Sequence, residues 1–123
     1  MKASDLIICK AGVLIVTESL ASGLPMILIE VIPGQETGNA EYVTSYEAAD
    51  VAETPIEVLE LLNHLLKNDH ELLNKRAENA RQLGQPRSAY KVAKILWNTA
   101  ETGFIPNRPK RDLKLKPRLL IGQ

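Results

Sequence analysis

The chain has 123 residues, 45% of them apolar, with 15 basic and 15 acidic side chains and a single cysteine, Cys9. That length holds one domain, the composition is that of a globular protein, and a lone cysteine excludes a disulfide framework. No stretch approaches the roughly 20 apolar residues of a membrane-spanning helix, and the opening MKASD is too polar for a signal peptide, so a cytoplasmic chain is expected.

In chain order, Leu6-Ile7-Ile8-Cys9 is a short unbroken apolar run, the pattern of a strand buried on both faces. Lys10-Ala11-Gly12 breaks it, and Val13 to Ser22 is predicted to wind as a helix stopped by Gly23 and Pro25. Met26 to Val31 reads as a second strand, and Pro33-Gly34-Gln35-Glu36-Thr37-Gly38-Asn39 as a polar loop leaving the sheet. A helix over Asn39 to Tyr46 follows, with Asn39 as N-cap and Ala40, Val43 and Tyr42 inward. Ala48 to Ala52 reads as a third parallel strand. Thr54-Pro55-Ile56-Glu57 is a capping box with proline at the first helical position. The helix it starts is expected to end near Asn68 and to bury Ile56, Leu59, Leu62, Leu65 and Leu66. Another helix should run from Asp69 or His70 to Leu83, closed by Gly84 and Pro86, with Leu72, Leu73, Ala77, Ala80 and Leu83 inward. The last, from Ser88 to Thr102, offers Tyr90, Val92, Ala93, Leu96 and Trp97 for burial. From Pro106 onward six basic residues face one acid, Asp112, a net charge of +5 that the rest of the chain balances with −5. This tail over 106–123 is expected to be poorly ordered, with contact to an anionic membrane surface as the alternative.

Two parallel strands joined by a helix place both strand ends on one sheet edge, so the turn at Lys10 to Val13 and the loop at Pro33 to Asn39 share it. Ligands of open parallel sheets bind outside those carboxyl ends. The glycine-containing turn offers free N–H groups and a helix N-terminus to a phosphate. Glu18 is placed to accept from a ribose diol, and Gln35, Glu36 and Asn39 to read sugar hydroxyls. Many α/β proteins carry such turns without a ligand, so spacing alone leaves both readings open. Cys9 reads as a small buried apolar side chain rather than a nucleophile. His64 and His70 lack partners at metal-ligand spacing, and nucleic-acid motifs are absent, so neither a metal nor a nucleic-acid partner is expected.

The strings SDLIICKAG, TESLASGLPMI and PGQETGNAEYV closely resemble the donor-binding domain of a glycosyltransferase family. It contains diacylglycerol glucosyltransferases, plant galactolipid synthases and the enzyme adding N-acetylglucosamine to peptidoglycan lipid I (glycosyltransferase family 28-like, GT-B fold). The resemblance runs from about Met1 to Trp97, its specific motifs ending at Tyr42. It implies an α/β fold: a partial Rossmann-like parallel sheet of about three strands with flanking helices, half of the C-terminal GT-B domain, over residues 1–105. By the same resemblance Gly12, Val13 and Leu14 lie against a diphosphate, Glu18 binds ribose, and Gln35 and Glu36 contact the donor sugar. The implied donor is a UDP-sugar, used without a metal or other cofactor. The implied acceptor is a lipid such as diacylglycerol, held by a missing domain or partner subunit at the inner face of the cell membrane. The chain is therefore expected to be a fragment, truncated product or subunit, inactive alone. The alternative is a degenerate, non-catalytic module that docks on a partner chain. Three departures from the family pattern bear on that choice. Val13 and Ile15 stand where a glycine and a hydroxyl residue are usual, and Tyr46-Glu47-Ala48 where a glycine is common. A β-branched residue is disfavoured if the turn needs positive φ.

Overall fold

The computed structural model describes residues 1 and 3–103. Three short strands form one parallel sheet in the order β1-β2-β3: β1 (Ile7–Cys9), β2 (Met26–Ile29) and β3 (Ala49–Ala52). Ile7 pairs with Met26, and Met26 in turn with Ala49. This is the partial Rossmann-like sheet the sequence implies. Helix α1 (Val13–Ser22) joins β1 to β2, and α2 (Thr37–Ser45) joins β2 to β3. Then come α3 (Pro55–Leu65), a single 3-10 turn at Asn68–His70, α4 (Glu71–Leu83) and α5 (Ser88–Thr102). Met1–Ser88 is one compact unit; α5 belongs to a second and is described by itself.

Because side chains alternate along a strand, the central β2 is buried on both faces. Met26 and Leu28 point into a core with Val16, Leu20, Val43 and Ala80, whereas Ile27 points into another with Ala52, Leu65 and Leu73. Helix α4 contributes to both cores, Leu73 to one and Ala80 to the other. On its way it anchors β3 and the turn before it: Arg76 donates to both carboxylate oxygens of Asp50 (3.1 and 2.8 Å), and Asn79 Nδ2 to the Glu47 carbonyl (3.0 Å). Gly84 at its end is pressed against α1, where any Cβ would collide with the Leu20 carbonyl oxygen.

Helices α1 and α2 end in the same Schellman arrangement with different residues. At the first, the N–H groups of Gly23 and Leu24 donate to the Leu20 and Ser19 carbonyls; at the second, those of Glu47 and Ala48 donate to Thr44 and Val43. Gly23 has φ 67°, natural for glycine, but Glu47 adopts φ 54° with a side chain. The glycine that the resemblance leads us to expect near Tyr46-Glu47-Ala48 would fall at this left-handed residue, where a side chain costs about 1 kcal/mol.

Several expectations need correction. The helix after the polar loop starts at Thr37 with Glu36 as N-cap, so Asn39 lies inside it, and Tyr42 is exposed. Helix α3 stops at Leu65. Half of its capping box is present, the Glu57 N–H donating to Thr54 Oγ1 (3.2 Å), while Glu57 Oε2 accepts from the N–H of Glu53, one residue before the N-cap (2.8 Å). Its buried stripe is Val58, Leu61, Leu62 and Leu65, however, with Ile56, Leu59 and Leu66 exposed. With leucine at 59, 61, 62, 65 and 66, two stripes satisfy the helical period, and the sheet selects the one reaching Ile27. On α5, Tyr90, Val92, Ala93, Leu96 and Trp97 are exposed rather than buried. The basic tail over 106–123 lies outside the described residues.

Candidate functional site

The carboxyl ends of β1 and β2 carry the two segments in question. Gly12 is the N-cap of α1 with φ −64° and ψ 143°, an extended conformation open to any residue, and Val13 is the first helical residue. No positive φ is needed at either position, so the expected penalty for Val13 does not arise. Ile15, in place of a hydroxyl residue, packs against the core beside Val16. No side chain caps the turn and no acid lies in the first turn. The amide end of α1 thus faces outward, with Leu14 71% exposed.

Across from it, the polar loop is closed by its own carboxylate. Glu36 is only 8% exposed; its backbone N–H donates to the Ile32 carbonyl (2.9 Å), and its Oε2 accepts from the Ile32 N–H (3.1 Å). The Gly34 N–H donates to Thr37 Oγ1 (3.0 Å), completing the turn. The other Glu36 oxygen faces Gly12, 3.9 Å from where a Cβ would stand. Asn39, from the first turn of α2, donates through Nδ2 to the Ala11 carbonyl (2.8 Å) and ties the loop to the β1–α1 turn. Burial, reinforced by the Glu36 charge, pushes the Cys9 thiol above its ordinary pKa, which suits an inert side chain.

Of the expected site residues, Gly12, Glu36 and Asn39 are therefore gathered into one cluster with Ala11 and Cys9. Val13 and Leu14 flank it on the exposed first turn of α1. Glu18 lies one turn beyond Leu14 on the same helix face, exposed, and Gln35 is exposed at the loop tip. Neither Glu18 nor Gln35 hydrogen-bonds to the cluster. Sequence reasoning missed that Glu36 and Asn39 hold the two loops together; the sequence marks both only as polar residues in a loop. It also missed the pair at the strand tips, Lys10 Nζ to Glu30 Oε2 at 2.8 Å, which holds the lysine above and the glutamate below their ordinary pKa values, the hydrogen bond leading and the charge reinforcing it. Among the described residues no three His, Cys, Asp or Glu side chains come together as metal ligands.

The model of the glycosyltransferase family 28 C-terminal domain matches residues 1–95. Monogalactosyldiacylglycerol synthase 3 of Arabidopsis thaliana is 40% identical over 101 residues, 82% of this chain and 22% of that protein. A processive diacylglycerol beta-glucosyltransferase of Staphylococcus carnosus is 32% identical over 78% of this chain and 24% of its own length. The crystal structure of Acinetobacter baumannii MurG superposes with a TM-score of 0.63 at 34% identity, over 77% of this chain and 30% of MurG. The chain thus spans less than a third of the length of each of these relatives. With a three-stranded parallel sheet, flanking helices and a match over most of its residues, this chain belongs to the glycosyltransferase family 28 C-terminal domain family.

Proposed function

We propose that this chain is the donor-binding part of a glycosyltransferase that moves a sugar from a UDP-sugar to a lipid acceptor. The observation that carries the reading is the uncapped amide end of α1 at Gly12, Val13 and Leu14, facing a loop that Glu36 and Asn39 hold in place. An uncapped helix start accepts a diphosphate through backbone N–H groups and stabilises charge on the departing UDP. The reaction joins the acceptor hydroxyl oxygen to the sugar's anomeric carbon as the bond to the UDP oxygen breaks, and the hydroxyl proton passes to a base. No group in this chain is assigned as that base; it belongs to the part of the enzyme that binds the acceptor. Glu18 holds the ribose hydroxyls and Gln35 reaches the sugar. Glu36 shapes the loop with one oxygen and offers its other to the donor. Asn39 acts through the Ala11 carbonyl.

Support for a lipid acceptor comes from the relatives, which include proteins named for diacylglycerol substrates. The part that binds the acceptor is a further domain or a partner subunit, and such an acceptor sets the work at a membrane surface, for which we take the inner face of the cell membrane. No described helix is long and apolar enough to cross a membrane. The competing reading, a degenerate docking module, rests on the short sheet with its open edge and on the three departures, of which Val13 and Ile15 lie at the site. Val13 is unstrained and Ile15 serves the core, so neither speaks against a donor site.

Calorimetric titration with UDP and UDP-glucose, with ADP as control, tests the reading. Saturable, uracil-selective binding that is lost in Glu18→Ala is expected. A folded chain that binds none of the three would leave only common ancestry with donor-binding domains.

A further inference from the structure

The edge where β1 and β2 end is acidic, although the reading above brings a diphosphate to it. Glu30 and Glu36 lie on this edge and Glu18 stands one turn into α1, whereas the start of that helix offers only about half a positive charge. Lys10 is the only lysine or arginine from residue 3 to residue 66. On α4, Lys75 and Arg76 are committed to Glu47 and Asp50 at the other edge. Lys10 directly follows β1 and stands two residues before Gly12, so the fold puts this single cation at the strand tips. Its Nζ lies 2.8 Å from Glu30 Oε2, and its side chain is 55% exposed. An ammonium carries three N–H donors, so a partner at one oxygen leaves others for a second acceptor. Glu30 holds φ 47°, a strained conformation for a residue with a side chain, at the exit from β2. The Glu36 charge also acts on Lys10, and the Glu36 oxygen not bonded to Ile32 faces Gly12. The ammonium thus belongs to the same group of side chains as the turn at Gly12.

We propose that Lys10 binds the donor: its ammonium, held at the strand tips by Glu30, donates to a phosphate oxygen of the nucleoside diphosphate. It supplies the full positive charge that the helix end lacks, on a flexible stem that needs no movement of the backbone. Glu30 positions the lysine and is also a like charge that the diphosphate must approach. Their exposed pair is weak by itself, so sharing the ammonium with a phosphate costs little. This rests on the donor-site reading and adds to it the group that favours the diphosphate over the bare nucleoside.

The test titrates the full chain with UDP and with uridine, followed by backbone amide shifts so that weak binding is read. Lys10→Gln should weaken UDP binding about tenfold and leave uridine binding within about twofold. Glu30→Gln keeps an oxygen for Lys10 but removes the charge, and should tighten UDP binding about threefold with uridine unchanged. Added salt should weaken UDP binding less in Lys10→Gln than in the parent. Parental UDP affinity in Lys10→Gln overturns this inference alone, as does an equal loss of UDP and uridine binding. So does a Glu30→Gln chain that loses UDP affinity as Lys10→Gln does, since the pair would then only tie the two strands. A parent chain that binds UDP no better than uridine has no phosphate site, and the donor reading falls together with the role of Lys10.

Discussion

The two edges of the sheet are built on opposite principles. At the edge where the strands begin, α4 passes from one core to the other and closes the structure. Its means are a bidentate Arg76–Asp50 pair, an Asn79 bond to the backbone and a glycine with no room for a methyl group. At the edge where the strands end, the elements part. The first turn of α1 is uncapped, Leu14 is exposed, and the polar side chains within the cleft are spent on positioning backbone. The first edge is closed by bonds between elements, whereas the second keeps the first turn of α1 uncapped, which the proposed donor site requires. Mutations at the first edge should therefore change folding, and mutations at the second should change binding.

The largest effect is expected at Gly84. Gly84→Ala drives a methyl group into the Leu20 carbonyl and should lower stability by about 2–3 kcal/mol in denaturant unfolding. Arg76→Ala strands the part-buried Asp50 carboxylate and should lower it by about 2 kcal/mol, with UDP affinity of the folded fraction unchanged. Asn39→Ala sits between the two classes. Loss of the Ala11 tether should cost about 1 kcal/mol and also weaken UDP binding, whereas a purely structural tether would leave the affinity alone. Glu47→Gly relieves the left-handed strain but removes the exposed ion pair of Glu47 with Lys75 (2.9 Å), so the two offset and stability should change by no more than about 0.5 kcal/mol. Gly12→Ala should shift stability by only about 0.5 kcal/mol, since its φ suits alanine, yet lower UDP affinity by placing a methyl group where the phosphates approach. The smallest effect is on Cys9. With its folded pKa raised, the thiol stays protonated as pH rises through the range where a free thiol ionises. Alkylation near pH 9 should be slower in the native chain than in the denatured one, and equal rates would remove the burial argument.

Much of this division was legible in the sequence, and the parts that were not share a cause. Strand and helix bounds followed from apolar runs and from punctuation at Gly23, Pro25, Thr54-Pro55 and Gly84, where the signal is local. Which face of α3 is buried was not local, because its leucines satisfy two stripes and only the sheet decides between them. Nor was the exposure of the apolar face of α5, whose amphipathy shows in the sequence without saying what covers it. Around the candidate site, the sequence placed Gly12, Glu36 and Asn39 on one edge through the parallel crossover alone. It could not show that Glu36 folds back on Ile32 or that Asn39 reaches Ala11, since both bonds depend on the loop's path. The cost assigned to Val13 assumed a positive φ that the turn does not use, while the positive φ at Glu47 lies at the third departure from the family pattern.

The most direct test of the account is a map of backbone amide shifts in an isotope-labelled chain titrated with UDP. The account predicts saturable shifts at Gly12, Val13, Leu14 and the loop around Glu36, with the amides of α4 still. Shifts centred on α4, or saturable binding that leaves the first turn of α1 untouched, would contradict it.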